Sequence, residues 1–167
     1  MPWKGLLVSG AMAPVTGWNS NAGSAPNGKG ALDTNILIDF LGGAPEARDE
    51  IALYDHAAIS IVTWMEVMVG APERATDATR VFLDRFELIG LNRDIADLAV
   101  QLRRSHGVKL PDAIIWASAR HQGRLLVTRN TKDFPPGDPG VRAPYVIGPR
   151  SRRARPAARA LLSRANT

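Results

Sequence analysis

Four acidic residues, Asp33, Glu66, Asp112 and Asp133, stand at positions where a reaction could use them. Each also has an ordinary local role open to it. Asp33 precedes a helix, and Asp, Thr and Asn are all good N-cap residues. Glu66 completes a Thr63-x-x-Glu66 capping box. Asp112 follows Pro111 at the head of a helix, where the macrodipole favours a carboxylate and keeps it ionised. Asp133 can form an Asx-turn before Pro135-Pro136. Taken together, however, Asp33, Glu66 and Asp133 fall at or just beyond the ends of strand-like runs, and Asp112 begins a helix that leads into such a run. A parallel sheet would gather these points along its carboxyl edge, where open α/β proteins bind their ligands. Unpaired carboxylates in one crevice repel one another and need a counter-charge. Hard oxygen ligands suit Mg2+ or Mn2+, ions that keep several waters and also accept substrate phosphate. Such a site can generate hydroxide from bound water and neutralise charge developing on phosphorus, which is metal-dependent phosphodiester hydrolysis.

The elements that must position these acids follow from apolar spacing. Ala31-Leu32 ends a buried strand, and Thr34 or Asn35 is expected to cap a helix whose apolar face begins at Ile36 and which Gly42-Gly43 stops. That strand is thin, because Gly28, Lys29 and Gly30 are poor strand formers. Pro45 begins a second helix to about residue 56. Residues 57–62 read as a buried strand, Thr63 opens a helix through Val69, and 73–86 reads as one further helix. Leu88-Ile89-Gly90-Leu91 is a third strand candidate. Asn92 caps an amphipathic helix with Ile95, Leu98, Ala99 and Leu102 on one face, closed by His106-Gly107. The helix from 112 to 122 is apolar on nearly every side and must be largely buried. Residues 124–128 form a fourth strand, and 141–147, interrupted by Pro144, an edge strand. Strands alternating with helices argue for an α/β fold with a mostly parallel central sheet.

Length and composition narrow the classes. The 167 residues fit one domain, with residues 1–29, rich in Gly, Ser, Asn, Ala and Pro, as an N-terminal extension expected to be disordered. Residues 30–147 form the domain and 148–167 a tail with six arginines and no acid. The net charge of +5 therefore belongs to the tail, since the other 147 residues hold 15 basic and 16 acidic side chains. A tail of this kind either touches RNA phosphates or is a solvated arm. With no cysteine, disulfides, thiolate zinc sites and a cysteine nucleophile are excluded, and a cytoplasmic setting is expected. The run from Lys4 to Ala13 only loosely resembles a secretory leader, being interrupted by Gly5, Ser9 and Gly10. No apolar run approaches the roughly 20 residues of a membrane span. His56, His106 and His121 lack ligand spacing, and neither a glycine-rich phosphate loop nor a His-Glu-x-x-His motif is present.

The ordered motifs Leu32-Asp33-Thr34-Asn35, Ile61-Val62-Thr63-Trp64-Met65-Glu66-Val67, Leu110-Pro111-Asp112-Ala113-Ile114-Ile115-Trp116-Ala117 and Leu126-Val127-Thr128-Arg129-Asn130-Thr131-Lys132-Asp133-Phe134 resemble a PIN-domain ribonuclease of the VapC type, the toxin half of a type II toxin–antitoxin pair. The resemblance spans about residues 31–145. It implies a three-layer α/β/α domain, Mg2+- or Mn2+-dependent endoribonuclease activity, and neutralisation by a VapB-like antitoxin. By the same resemblance Asp33, Glu66 and Asp112 fall on acidic metal-site positions, and Asn35 and Thr128 on supporting polar positions. Many relatives carry an aspartate where this chain has Asn130, so Asp133 is expected to supply the fourth acid and Asn130 a polar substitute.

RNA would need cations beside the cleft. Arg103, Arg104, Lys109, Arg129 and Lys132 are the candidates, with Arg120 and Arg124 also near the later acids in sequence. Asp39, six residues beyond Asp33, is expected to be solvated or locally paired. Apolar positions around Met65, Met68 and Val69, and around Phe82 and Phe86, suggest a homodimer or an antitoxin groove. The alternative function is a PIN-like RNA- or protein-binding module with impaired catalysis.

Overall fold

In a computed structural model, residues 28–135 and 137–147 are described. The proposed extension, apart from residues 28 and 29, and the arginine-rich tail lie outside the described residues. Five strands, β1 (Gly30–Leu32), β2 (Ala58–Ser60), β3 (Glu87–Ile89), β4 (Leu125–Val127) and β5 (Val141–Arg142), form one sheet in the order β3-β2-β1-β4-β5. Every pairing is parallel. The helices are α1 (Thr34–Leu41), α2 (Pro45–Ile51), α3 (Ile61–Gly70), α4 (Thr76–Leu83), α5 (Arg93–His106) and α6 (Leu110–His121).

The two-residue period of the strands sorts the core onto two faces. Ala31, Ala58, Ile89 and Leu126 pack with Ile95, Ala99 and Leu102 of α5 and Ile115 and Trp116 of α6. Leu32, Ile59 and Val127 face the other way, onto Ile36 and Leu37 of α1, Ile51, Tyr54, Val67 of α3 and Phe82 of α4. Helices on both faces make the fold a three-layer α/β/α sandwich, as the alternation of elements implies.

The thin strand β1 is the centre of the sheet, paired with β2 on one side and β4 on the other. Its glycine has a packing reason. A Cβ on Gly30 would meet the Tyr54 ring at 2.6 Å, so the ring lies in the space that only glycine leaves.

Several boundaries differ from the sequence expectation. The second strand stops at Ser60, whose side chain accepts from the Val62 amide, so α3 begins at Ile61 and not at Thr63. Thr63 is buried inside that helix, and no capping box forms there. The expected helix over 73–86 is a 3-10 turn at Glu73–Ala75 followed by α4. The second helix ends at Ile51, and the last strand covers only Val141–Arg142. Phe82 and Phe86 are core residues: Phe82 stacks on Phe40 at 4.9 Å and meets Phe86 edge-on at 5.3 Å. Met65 and Val69 do remain exposed. Among the described residues, no helix is long and apolar enough to cross a membrane.

Candidate active site

The carboxyl ends of the central strands carry the site. Asp33 follows β1 and its amide donates to Val127 O of β4 at 2.9 Å, which fixes the backbone between two strands. Its extended backbone and its Oδ1, which accepts the Thr34 amide at 2.7 Å, make Asp33 itself the N-cap of α1. Thr34 and Asn35, the expected caps, instead donate their side chains to acids, Thr34 to Glu66 and Asn35 to Asp33 itself. Asn35 Nδ2 and Thr128 Oγ1 each donate to Asp33 Oδ2 at 2.6 Å. Thr128 Oγ1 also accepts from Asn35 Nδ2 at 3.1 Å and from the Asn130 amide at 2.9 Å. Thr34 donates its hydroxyl to Glu66 Oε2. With Ser60 as the cap of α3, Glu66 is released from the capping role that its spacing suggests.

Asp112 lies in the first turn of α6, behind the cap residue Lys109 and Pro111. Asp133 follows β4 on an irregular turn and accepts from Asn130 Nδ2. Asn130 and Asp133 are thus hydrogen-bonded to each other.

Two of the carboxylates, Asp33 and Asp112, are shifted by their surroundings. Burial raises the Asp33 carboxyl from an ordinary 3.8 to about 6, against the lowering effect of its Thr128 and Thr34 hydrogen bonds and with further elevation from Asp112 and Glu66. Asp112 is also raised, first by burial and then by Asp133 and Glu66, while Lys109 tempers it. The helix N-terminus does not hold Asp112 at a normal value, because burial and then the neighbouring negative charges outweigh it.

The donor set is entirely oxygen and carries a surplus of negative charge, which fits Mg2+ or Mn2+ better than a soft metal. Among the described residues, no three acidic or histidine side chains converge into a ready-made ligand cage. Mg2+ is usually held through one or two carboxylates with waters completing its shell, so this spread arrangement is compatible with it.

The cation candidates separate by position. Lys109 adjoins Asp112 and, with Lys132 and Arg104, is exposed. Arg103 donates to Val108 O at 2.7 Å and closes the turn after α5. Arg129 is committed elsewhere, since Nε and Nη2 both donate to Asp39, with Nη2 at 2.9 Å from Oδ1. Asp39 is accordingly neither solvated nor locally paired: it is 8% exposed and also accepts from Tyr145 Oη at 3.2 Å. Arg124 is buried, bonded to His56 O and Glu87, and Arg120 is eight residues along α6 from Asp112, about 12 Å away at 1.5 Å per residue. Neither belongs to the cleft. Sequence reasoning missed Thr34 as the partner of Glu66 and the pairing of Asp39 with Arg129. No local signal marks either, because the partners are 32 and 90 residues apart.

The model of the PIN domain matches residues 31–135. The tRNA(fMet)-specific endonuclease VapC of Shigella flexneri is 31% identical over 115 residues, covering 62% of this chain and 87% of that protein. A toxin-antitoxin complex from Klebsiella pneumoniae contains a chain 48% identical, with a TM-score of 0.67 over 71% of this chain and 99% of that one. DNA-bound VapBC from Salmonella typhimurium matches at 28% identity and a TM-score of 0.59, over 68% and 95% of the two chains.

Proposed function

Because this chain belongs to the PIN-domain family, as a VapC-like member, we propose that it is a metal-dependent endoribonuclease, the toxin of a type II toxin–antitoxin pair. The observation that carries this reading is the set of four carboxylates at the carboxyl edge of the sheet, with Asp33 and Asp112 raised partly by their acidic neighbours. A group of acids that destabilise one another's charge is a site prepared for a cation.

Asp33, Asp112, Glu66 and Asp133 would share the holding of Mg2+ or Mn2+, one or two of them touching an ion and the rest acting through its waters. The bound ion supplies a water of lowered pKa and neutralises charge on the scissile phosphate. The protein's own groups prepare this. Thr128 and Asn35 fix one oxygen of Asp33 and leave its orientation no freedom, while Thr34 steers Glu66. Asn130 does the same for Asp133. Lys109, beside Asp112, and the exposed Lys132 and Arg104 supply positive charge for the RNA backbone, where phosphate contacts position the strand without reading sequence.

The structural relatives described as toxin–antitoxin complexes support a VapB-like antitoxin as partner. Exposed Met65 and Val69 on α3 offer apolar area for that partner or for a second copy of the chain. The test is cleavage of total RNA by the purified chain with Mg2+ or Mn2+, with and without chelator, beside Asp33→Asn. Cleavage that needs the ion and disappears in a folded Asp33→Asn protein is expected. Cleavage that survives both chelation and the substitution would remove this reading.

A further inference from the structure

Arg129 grips α1 at two points one helical turn apart. Its backbone amide donates to Asn35 Oδ1 at 3.0 Å, and its guanidinium forks onto Asp39, four residues further along the same helix. Positions i and i+4 share one face, so a single residue of the turn after β4 spans both. The first grip determines what Asn35 can do. A carboxamide has an acceptor end and a donor end. With Oδ1 taken by Arg129, Nδ2 is directed at Asp33 Oδ2 and Thr128 Oγ1. A continuous path of hydrogen bonds thus runs from Asp39 through Arg129 and Asn35 to the buried acid Asp33.

We propose that Asp39 and Arg129 are positioning residues for the acidic site, their ion pair holding the turn at 128–130 against α1 so that Asn35 and Thr128 both donate to Asp33. The consequence for RNA cleavage rests on the nuclease reading, but the consequence for cation binding does not. Arg129 then contributes through Asn35 and makes no contact with substrate.

A buried ion pair can also be purely structural, and the molecule holds its own control. Glu50, 6% exposed, receives Arg142 Nε at 2.7 Å and Nη2 at 3.0 Å, and Tyr54 Oη at 2.7 Å. This second fork resembles the first in geometry and burial of the acid. Its link to the cleft among the described residues is the strand bond from the Thr128 amide to Arg142 O, which a side-chain substitution leaves in place.

The experiment compares Asp39→Asn, Arg129→Gln, Arg129→Lys, their double variant Asp39→Asn/Arg129→Gln and Arg142→Gln in the full chain. It reads Mn2+ affinity by calorimetry, thermal midpoint, and kcat and KM for RNA. Asp39→Asn and Arg129→Gln are each expected to weaken Mn2+ binding about 10- to 100-fold, the cost typical of losing a partner that orients a ligand. The double variant should be no weaker than either single one, because both remove the same pair. Under the nuclease reading kcat falls with KM little changed. Arg142→Gln should lower the midpoint comparably and leave Mn2+ affinity intact. Arg129→Lys keeps the charge without the fork, and a Mn2+ affinity below wild type is expected from it, which serves as the readout if Arg129→Gln folds poorly. The proposal is overturned if Asp39→Asn and Arg129→Lys lose thermal stability with unchanged Mn2+ affinity. A raised KM with Mn2+ affinity and kcat unchanged would equally overturn it and return Arg129 to RNA contact. If wild type binds Mn2+ but cleaves no RNA, the nuclease reading fails, and the variants' Mn2+ affinities still decide the positioning role.

Discussion

Two groups of carboxylates divide this molecule. Asp33, Glu66, Asp112 and Asp133 gather at the carboxyl edge of the sheet, and among the described residues none of them forms an ion pair with a lysine or arginine. The hydrogen bonds to Asp33, Glu66 and Asp133 come from neutral donors: Thr34, Asn35, Thr128 and Asn130. Asp39 and Glu50, on α1 and α2, are buried just as an unpaired acid should not be, yet each holds an arginine fork and a tyrosine hydroxyl. The contrast separates two uses of one side-chain type. Where the counter-charge is built in, the acid joins elements together; where the donors are neutral, no counter-charge is supplied by hydrogen bonds, which is the basis for the proposed cation site.

The sharpest way to break this comparison is to neutralise one acid of each kind. Asp112→Asn should remove about 4 kcal/mol of transition-state stabilisation, roughly 10^3-fold in cleavage rate, without lowering the thermal midpoint, because it removes a charge disfavoured first by burial and then by Asp133 and Glu66. Glu50→Gln should do the reverse. Loss of a buried pair typically costs about 3–5 kcal/mol, but Arg142 is 42% exposed and can rehydrate, so about 2 kcal/mol of stability with activity retained is expected. Thermal melts and single-turnover cleavage of both variants check the pair. An inactive, undamaged Glu50→Gln protein would erase the distinction.

Acid titration probes the same contrast at smaller scale. Asp33 is raised in the fold from 3.8 to about 6, so its contribution to stability is full below pH 3.8 and lost as pH rises through 6. The difference amounts to roughly 3 kcal/mol, and Asp112 adds to it with the same sign. Added Mg2+ favours the ionised acids and should raise the midpoint more at pH 7 than at pH 5. Calorimetric scans across that range are the check, and equal Mg2+ stabilisation at both values would contradict the assignment. Smallest is Tyr145→Phe, which removes one of three donors to Asp39 while leaving the Arg129 fork, at a cost of about 1 kcal/mol in chemical denaturation.

The alternation of strands and helices that places the acids was legible along the chain. The positions of Asp33 after β1, Asp133 in the turns beyond β4 and Asp112 at the head of α6 follow from apolar runs bounded by polar residues, since strand and helix periods are local properties. Caps were less legible. The sequence suggested a start for α3 at Thr63, but the helix begins two residues earlier with Ser60 as its cap, because Ile59 and Ser60 complete the pairing with β3 while Thr63 and Val67 enter the helix interior. At Asp33 three adjacent residues can all cap, and the one that closes β1 does so.

The sequence by itself determined that this chain alternates strands with helices and carries acids at the carboxyl ends, because burial patterns and end signals act over a few residues. Only the tertiary structure decided which acids stay unpaired. Asp33 meets Thr128 across 95 residues, Asp39 meets Arg129 across 90 and Glu50 meets Arg142 across 92. Ion pairing depends on distance in space, and those distances exist only once β4 has docked beside β1 and β5 beside β4.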